Sequence, residues 1–134
     1  MSAAKKENQI MIQTCHGQEE NDFLSFIKNA LSTLAEEKYD VFLDMFDNSR
    51  ISRDELILTL RYLDENRPVI KIDNPLEKRP GEQYVIIHQY NNGCGYWMDY
   101  DLTTNGQRND ITIQIEFLKQ GTYYFVSLED LHTL

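Results

Sequence analysis

The hydrophobic pattern changes at Pro68 from helical spacing to strict alternation, and no other feature of the chain constrains its fold as strongly. Beyond this proline, polar and apolar side chains alternate, and the turn sequences NNGCG, TNGQRN and KQG, each containing glycine, separate the alternating segments. These segments are 84–90, 96–103, 110–118 and 122–127. With a brief strand at 69–72, they predict an antiparallel meander.

The residues before Pro68 have helical periodicity instead. Asn21 is a good N-cap residue, and apolar side chains recur from it at helical spacing to about Glu37. The apolar positions between Tyr39 and Phe46 predict a second, shorter helix, and the following DNSR predicts a turn. The first helix is expected to bury Phe23, Ile27, Ala30, Leu31 and Leu34.

The sequence ISRDEL has two signals of a helix start. Ser52 and Glu55 have the spacing of a capping box, and Ile51 and Leu56 have the spacing of a hydrophobic staple. They predict a third helix that begins at Arg53 and ends before the proline. Its inward side chains are predicted to be Leu56, Leu60 and Leu63.

The order of these elements predicts an α+β fold. Helices come first in the chain and strands afterwards, which favours N-terminal helices packed on one face of a curved antiparallel meander. The length of 134 residues fits a single domain spanning 1–134. We expect 1–20 to be an arm or edge strand, with a short alternating piece at 10–12, 21–67 to be helical, and 68–134 to form the sheet.

Pairing the predicted hairpins assigns each strand residue to a face. Placing His88 opposite Met98, and Tyr100 opposite Ile113, makes all other pairs on that face apolar or aromatic, with Phe117 opposite Tyr124. We therefore predict that the helices cover this face. The opposite face is predicted to carry Val85, Ile87, Gln89, Trp97, Asp99, Asp101, Thr112, Gln114, Glu116, Leu118, Tyr123, Phe125 and Ser127.

The charge balance excludes several classes of ligand. With 13 Lys and Arg against 22 Asp and Glu, the chain has a formal charge of -9, which repels nucleic acid and anionic lipid and favours a basic protein partner. No window approaches the roughly 18 apolar residues of a membrane span. Because no apolar run follows the charged N-terminus, we expect the protein to stay in the cytoplasm.

Asp99 and Asp101 share one strand face with Trp97, the only tryptophan. The strand rise places the two carboxylates about 7 Å apart, a separation that would suit acid–base catalysis. The commoner interpretation is that they are ordinary solvated acids, because a shifted pKa requires burial. Mixed aromatic and acidic side chains are typical of protein-binding surfaces, and we favour this third interpretation.

An alternative site is centred on His88 and Tyr100. In the predicted register His88 lies among tyrosines on the covered face, where it would act in proton transfer in a pocket or be a satisfied core histidine. No phosphate, dinucleotide, hydrolase or metalloprotease motif is present. Cys15 and Cys94 lack metal-ligand spacing and are expected to be free thiols, so we predict no metal and no cofactor.

The order of helices, short strand and long meander resembles the cystatin-like cone of the nuclear-transport-factor-like superfamily. The ending FVSLEDLHTL is similar to that of small bacterial proteins of this shape, which close on L-[ED]-D-[IL]-H-x-L, here running from Leu128 to Leu134. That superfamily contains pocket enzymes and non-enzymatic binders, so the resemblance alone does not decide the function. Its pocket enzymes carry Asp, His and Tyr inside the cone, whereas Asp99 and Asp101 face outward here.

A small acidic protein without catalytic motifs is also similar in kind to immunity proteins, including those of contact-dependent growth inhibition. They neutralise nuclease toxins, which are basic because they bind phosphates. Our leading hypothesis is a non-enzymatic immunity protein that binds its partner through Trp97, Asp99, Asp101, Gln114, Glu116, Tyr123 and Phe125. The alternatives are a pocket enzyme or small-ligand binder at His88 and Tyr100, and an oligomer that pairs the acidic face with itself.

Overall fold

A computed structural model describes residues 11–77 and 84–133 as an α+β arrangement of helices and one sheet. The helices are α1 (Glu19–Ala35), α2 (Tyr39–Asp44) and α3 (Arg53–Leu60). The strands are β1 (Ile12–Gln13), β2 (Asn48–Ser49), β3 (Val85–Gln89), β4 (Gly95–Thr104), β5 (Gln107–Gln120) and β6 (Tyr123–Thr133). The sheet order is β1-β6-β5-β4-β3 with antiparallel neighbours, and β2 pairs with β6 in parallel.

Helix α1 buries the side chains that its periodicity predicts. The buried positions are Phe23, Ile27, Ala30, Leu31 and Leu34, all of them predicted. The helix begins at Glu19, two residues before the expected N-cap, and its first turn carries three acids that favour the positive end of the helix dipole. The ring of Phe23 stacks on Phe117 of β5 at 4.0 Å between centroids, which ties the helix to the middle of the sheet.

The capping box of α3 is confirmed. The hydroxyl of Ser52 accepts from the Glu55 backbone N–H at 3.1 Å, and the Glu55 carboxylate accepts from the Ser52 N–H at 2.8 Å. Leu56 and Leu60 are buried as predicted, but Leu63 is 61% exposed because the helix ends at Leu60 and Leu63 has a positive φ of 62°. Its predicted inward position is therefore wrong.

Two further local predictions are wrong for reasons of tertiary pairing. The DNSR sequence contains β2, because the backbone at Asn48 and Ser49 pairs with β6 instead of only turning. Residues 69–72 do not join a strand ladder. The Ile70 N–H donates to the Leu60 carbonyl at 2.8 Å, so this segment is anchored to the end of α3.

At the N-terminal side, part of the expected edge strand is present. β1 pairs antiparallel with β6, with Ile12 opposite Tyr124. The part of the prediction that concerns residues 1–10 lies outside the described residues. No helix among residues 11–77 and 84–133 combines the length and apolar character that a membrane crossing requires.

The register of β4 and β5 agrees with prediction, whereas that of β6 is displaced by two residues. Tyr100 pairs with Ile113, but Phe117 pairs with Val126 instead of Tyr124, because Gly121 and Thr122 form the turn. A shift of two keeps every side chain on its predicted face. β6 also extends to Thr133 through the LEDLHT sequence.

The predicted register of β3 is wrong by one residue. His88 pairs with Trp97 and Ile87 pairs with Met98, so His88 and Ile86 lie on the face away from the helices. The sequence YVIIHQY is apolar at both alternating sets and does not discriminate between the two registers. The geometry of the hairpin decides between the two registers, because the Tyr90 N–H donates to the Gly95 carbonyl at 2.9 Å and closes a four-residue loop.

Candidate binding face of the sheet

The helices cover one side of the sheet, and we call the other side of β3–β6 the outer face. Its centre consists of Trp97 and Asp99 on β4, and Gln114 and Glu116 on β5. Trp97 pairs directly across the strands with Glu116, and Asp99 pairs with Gln114. All four side chains are half-buried by their neighbours on the sheet.

Two neutral donors fix the Asp99 carboxylate. The Trp97 indole Nε1–H and the Gln114 amide Nε2–H both donate to Asp99 Oδ1 at 2.9 Å. Neither donor carries a charge, and within the described residues no Lys or Arg forms an ion pair with Asp99. The carboxylate is therefore held in position while its negative charge lacks a counter-charge.

Glu116 has the same kind of environment. The Tyr90 hydroxyl donates to Glu116 Oε2 at 2.7 Å. Burial, together with this hydrogen bond and the nearby negative charge of Glu116, raises the pKa of Tyr90, so the phenol remains a neutral donor. Trp97 thus lies between two carboxylates, Asp99 on its own strand and Glu116 on the next, whose hydrogen-bond donors are uncharged.

The acids at the margin of the outer face do have cationic neighbours. Asp101 Oδ2 lies 3.7 Å from Arg108 Nε, and the Arg108 guanidinium lies over the Tyr84 ring at 3.9 Å from its centroid. Glu129 Oε1 lies 3.3 Å from Arg50 Nη1. Among the residues that the structure describes, charge is therefore partly compensated by cations at the margin of the outer face and not at its centre.

The predicted binding residues share this face. Asp101 continues the row of Asp99 on β4, and Phe125 lies half-buried on β6 opposite Leu118 of β5. Tyr123 lies at the end of the sheet and is 42% exposed. The one-residue displacement of β3 moves Val85, Ile87 and Gln89 off the face.

Part of the outer face is not predicted by the pattern of the sequence. The predicted register that puts His88 on the covered side also puts Tyr90 there, but the observed register places Tyr90 on the outer face, where its hydroxyl holds Glu116. Glu129 and Asp130 belong to the ending FVSLEDLHTL, beyond the last strand that alternation predicts. A register shift between Gln114 and Ile115 leaves Glu129 as an extra residue, so β6 adds two successive acids here.

The alternative site is not assembled as predicted. His88 is exposed on the outer face, whereas Tyr100 is buried on the covered face, where burial raises the pKa of its phenol. Tyr100 instead lines a cleft of about 750 Å³ between the end of α1, residues 71–77 and the β4–β5 hairpin, and His88 is not among the residues that line it.

The same hairpin is held by Asp73. Its carboxylate accepts from the Thr103 hydroxyl at 2.7 Å and from the Asn105 and Gly106 N–H groups at 2.9 and 2.8 Å. Burial alone would raise the pKa of Asp73, but these hydrogen bonds outweigh it and lower the pKa below its ordinary value. The lowered pKa of Asp73 is therefore explained by its structural role in holding the β4–β5 hairpin.

No group of three or more His, Cys, Asp or Glu side chains in the described part of the chain has the arrangement of a metal site. Both cysteines, Cys15 and Cys94, are exposed free thiols.

The fold and face together define an α+β protein with helices on one side of its sheet and an acidic, aromatic surface on the other. The chain matches the model of a family described as "Domain of unknown function (DUF7668)" over residues 31–134 and belongs to that family. A search of curated proteins and a search of solved structures each found no match.

Proposed function

We propose that the chain is a non-enzymatic binding protein whose outer face docks a basic partner protein. The observation that carries this proposal is a pair of carboxylates beside Trp97. Asp99 and Glu116 are fixed by neutral donors, and no Lys or Arg of residues 11–77 and 84–133 forms an ion pair with either. A cationic side chain of a partner would provide the missing charge. The half-buried indole would provide apolar area at the centre of the contact.

The rigidity of this face favours binding. Asp99 accepts two hydrogen bonds and Glu116 accepts one, so their side chains are already ordered before a partner arrives. Ordering a flexible side chain costs about 0.5–1.5 kcal/mol at an interface, and a preorganised surface avoids this cost. The formal charge of -9 adds long-range attraction, which accelerates encounter with a basic partner.

For the partner class, we propose a nuclease-type toxin, which would make the chain an immunity protein of the contact-dependent growth inhibition kind acting in the cytoplasm. The support is the formal charge of -9 on a small chain without catalytic motifs, together with the chemistry of nucleases, which are basic because they bind phosphates. We also propose the cystatin-like cone as the finer fold. The order of helices before a long antiparallel meander supports it.

Affinity capture from the native lysate tests the docking face with two charge-matched variants. Asp99→Lys/Asp101→Lys reverses charge on the outer face, and Glu37→Lys/Glu65→Lys reverses two exposed acids near helix ends. Both change the formal charge from -9 to -5, since each Lys replaces one negative charge with one positive charge. Circular dichroism and thermal melting verify that each variant folds.

We expect the wild type and the helix-end variant to retain one basic protein in stoichiometric amount, weakened by salt, and the outer-face variant to lose it. Trp97→Ala should also weaken retention, because a central aromatic anchor contributes about 2 kcal/mol or more. The retained protein should have nuclease activity that the wild type inhibits at equal molarity. Equal retention by both charge variants would refute the outer face as the docking surface.

The cleft at Tyr100 favours a second candidate function, a small-ligand site. Its volume of about 750 Å³ lies within the range of ligand pockets, and the buried Tyr100 lines it. Because His88 lies on the opposite side of the sheet, this candidate no longer includes a histidine acting with the tyrosine. Failure of the wild type to retain any protein would favour the cleft over the outer face.

A further inference from the structure

β3 is at the edge of the sheet, and the hydrogen bonds at its two ends show which backbone groups face outward. The Tyr90 N–H donates to the Gly95 carbonyl, and the Asp101 N–H donates to the Tyr84 carbonyl, both at 2.9 Å. In an antiparallel pair the bonded positions alternate, so the even-numbered residues of β3 bond to β4. The backbone groups of Val85, Ile87 and Gln89 therefore point away from the sheet.

Within the described residues, β3 lacks the charged side chains, prolines and bulges that usually prevent an edge strand from pairing. The sequence VIIHQ contains no Lys, Asp, Glu or Pro, and its ladder with β4 has no register shift. Ile86 is 64% exposed on its outer side. Within the described residues, β3 pairs with β4 alone. The strand thus presents an uncharged edge without a register shift, and among the described residues no other strand pairs with its outward donors and acceptors.

We propose that an extended segment of the basic partner adds to the sheet as a strand alongside β3. This inference rests on the proposed function and specifies how the partner is recognised. Backbone hydrogen bonds to Val85, Ile87 and Gln89 would supply affinity, and alternating side chains would supply specificity. On the covered side the added strand would lie beside the half-buried Val85 and Ile87, which favours apolar side chains there.

On the outer side the neighbours favour basic side chains. Ile86 pairs with Asp99, and His88 pairs with Trp97, so the added strand would lie two strands from the uncompensated carboxylate. That separation is about 10 Å. A Lys or Arg side chain would cross it by laying its aliphatic stem over the exposed Ile86, with its charged end toward Asp99. The occupant is therefore a segment that alternates apolar and basic residues.

A second copy of the chain fits this edge less well. Antiparallel self-pairing about Ile87 would place Ile86 of one copy beside His88 of the other and would bring no Lys or Arg from β3 toward Asp99. It would also join two chains that each carry a charge of -9. Charge complementarity thus selects a basic segment.

The experiment uses a nine-residue peptide of alternating Val and Arg and a peptide of the same composition with the residues in two blocks. Binding is measured by fluorescence anisotropy with the full chain and two variants, Gln89→Pro and Gln89→Ala. Gln89 is exposed and its N–H points outward, so proline removes one edge donor without breaking the β4 ladder, and alanine keeps the donor. Melting curves verify that both variants fold.

We expect the alternating peptide to bind wild type and Gln89→Ala within twofold, and Gln89→Pro at least tenfold more weakly. The block peptide should bind at least tenfold more weakly than the alternating one. Hydrogen exchange should show the amides of Val85, Ile87 and Gln89 protected by the peptide.

Equal binding of both peptides, or of both Gln89 variants, would overturn strand addition and leave charge-driven docking intact. A failure of the alternating peptide to bind would overturn the strand proposal, while the lysate capture would still decide the docking face. A dimer in sedimentation that Gln89→Pro converts to a monomer would assign the edge to a second copy and also overturn the proposal.

Discussion

Asp99 and Asp101 lie two positions apart on one strand, yet their surroundings give them different properties. Asp99 accepts from an indole and an amide, whereas Asp101 accepts from the Thr112 hydroxyl at 2.8 Å and also lies near Arg108. A neutral donor positions a carboxylate without cancelling its charge, and a guanidinium does both. The uncompensated charge is therefore concentrated at the centre of the outer face, where Trp97 lies.

Asp73 is a residue whose role is structural, and its pH dependence tests this interpretation. Asp73→Asn should lower the free energy of unfolding at pH 7 by about 1–3 kcal/mol, because charged hydrogen bonds to the hairpin are lost. Since folding lowers the pKa of Asp73, its contribution is fully present above the unfolded-state pKa near 3.8 and is lost as the pH falls through the lower folded-state value.

Urea unfolding of wild type and Asp73→Asn between pH 7 and pH 2.5 measures this difference. The gap between the two proteins should be constant at neutral pH and shrink below about pH 4. A gap that does not change with pH would show that the ionised carboxylate is not what holds the hairpin.

Among the helices and strands, the sequence correctly predicted those whose residue pattern has only one interpretation. The periodicity of α1 and the capping box of Ser52 and Glu55 are local signals, and both are confirmed. The predicted register of β3 is wrong because its two alternating sets of side chains are both largely apolar. The length of the β3–β4 loop decides the register instead. The β2 pairing and the position of Glu129 depend on contacts between distant segments, which no local pattern encodes.

Gly95 marks the true register of the β3–β4 hairpin, and its substitution tests the close packing there. A Cβ at Gly95 would lie 2.1 Å from the Phe117 carbonyl oxygen, a backbone atom that cannot move aside cheaply. Gly95→Ala should therefore lower the free energy of unfolding by about 3 kcal/mol, the upper end for overpacking. Chemical denaturation measures the loss.

Gly93→Ala in the same loop is the matched control. Gly93 has a positive φ of 76° but open space around its Cβ position, so alanine there should cost only about 1–2 kcal/mol of backbone strain. Equal losses at the two positions would contradict the close approach of β4 to β5 at Gly95.

In the whole molecule, the sheet separates an apolar core on one side from an acidic, aromatic surface on the other. The side that faces the helices forms the apolar core, including Phe23, Phe42, Phe46 and Phe117, each fully buried. The outer face is turned toward the solvent and carries aromatic side chains among acidic ones. The sequence predicted the outer-face residues of β4, β5 and β6, but not those of β3, whose register depends on the hairpin loop, nor the hydrogen bonds that hold Asp99 and Glu116.

The most direct test of the proposed docking face is a cross-saturation NMR measurement on the isotope-labelled chain, bound to the basic protein that we expect affinity capture to retain. We expect saturation to transfer to the amides of β3, β4 and β5 around Trp97, Asp99 and Glu116, and not to α1 or residues 71–77. Transfer concentrated on the cleft at Tyr100 or on the helices, with the outer face unaffected, would refute docking through the outer face.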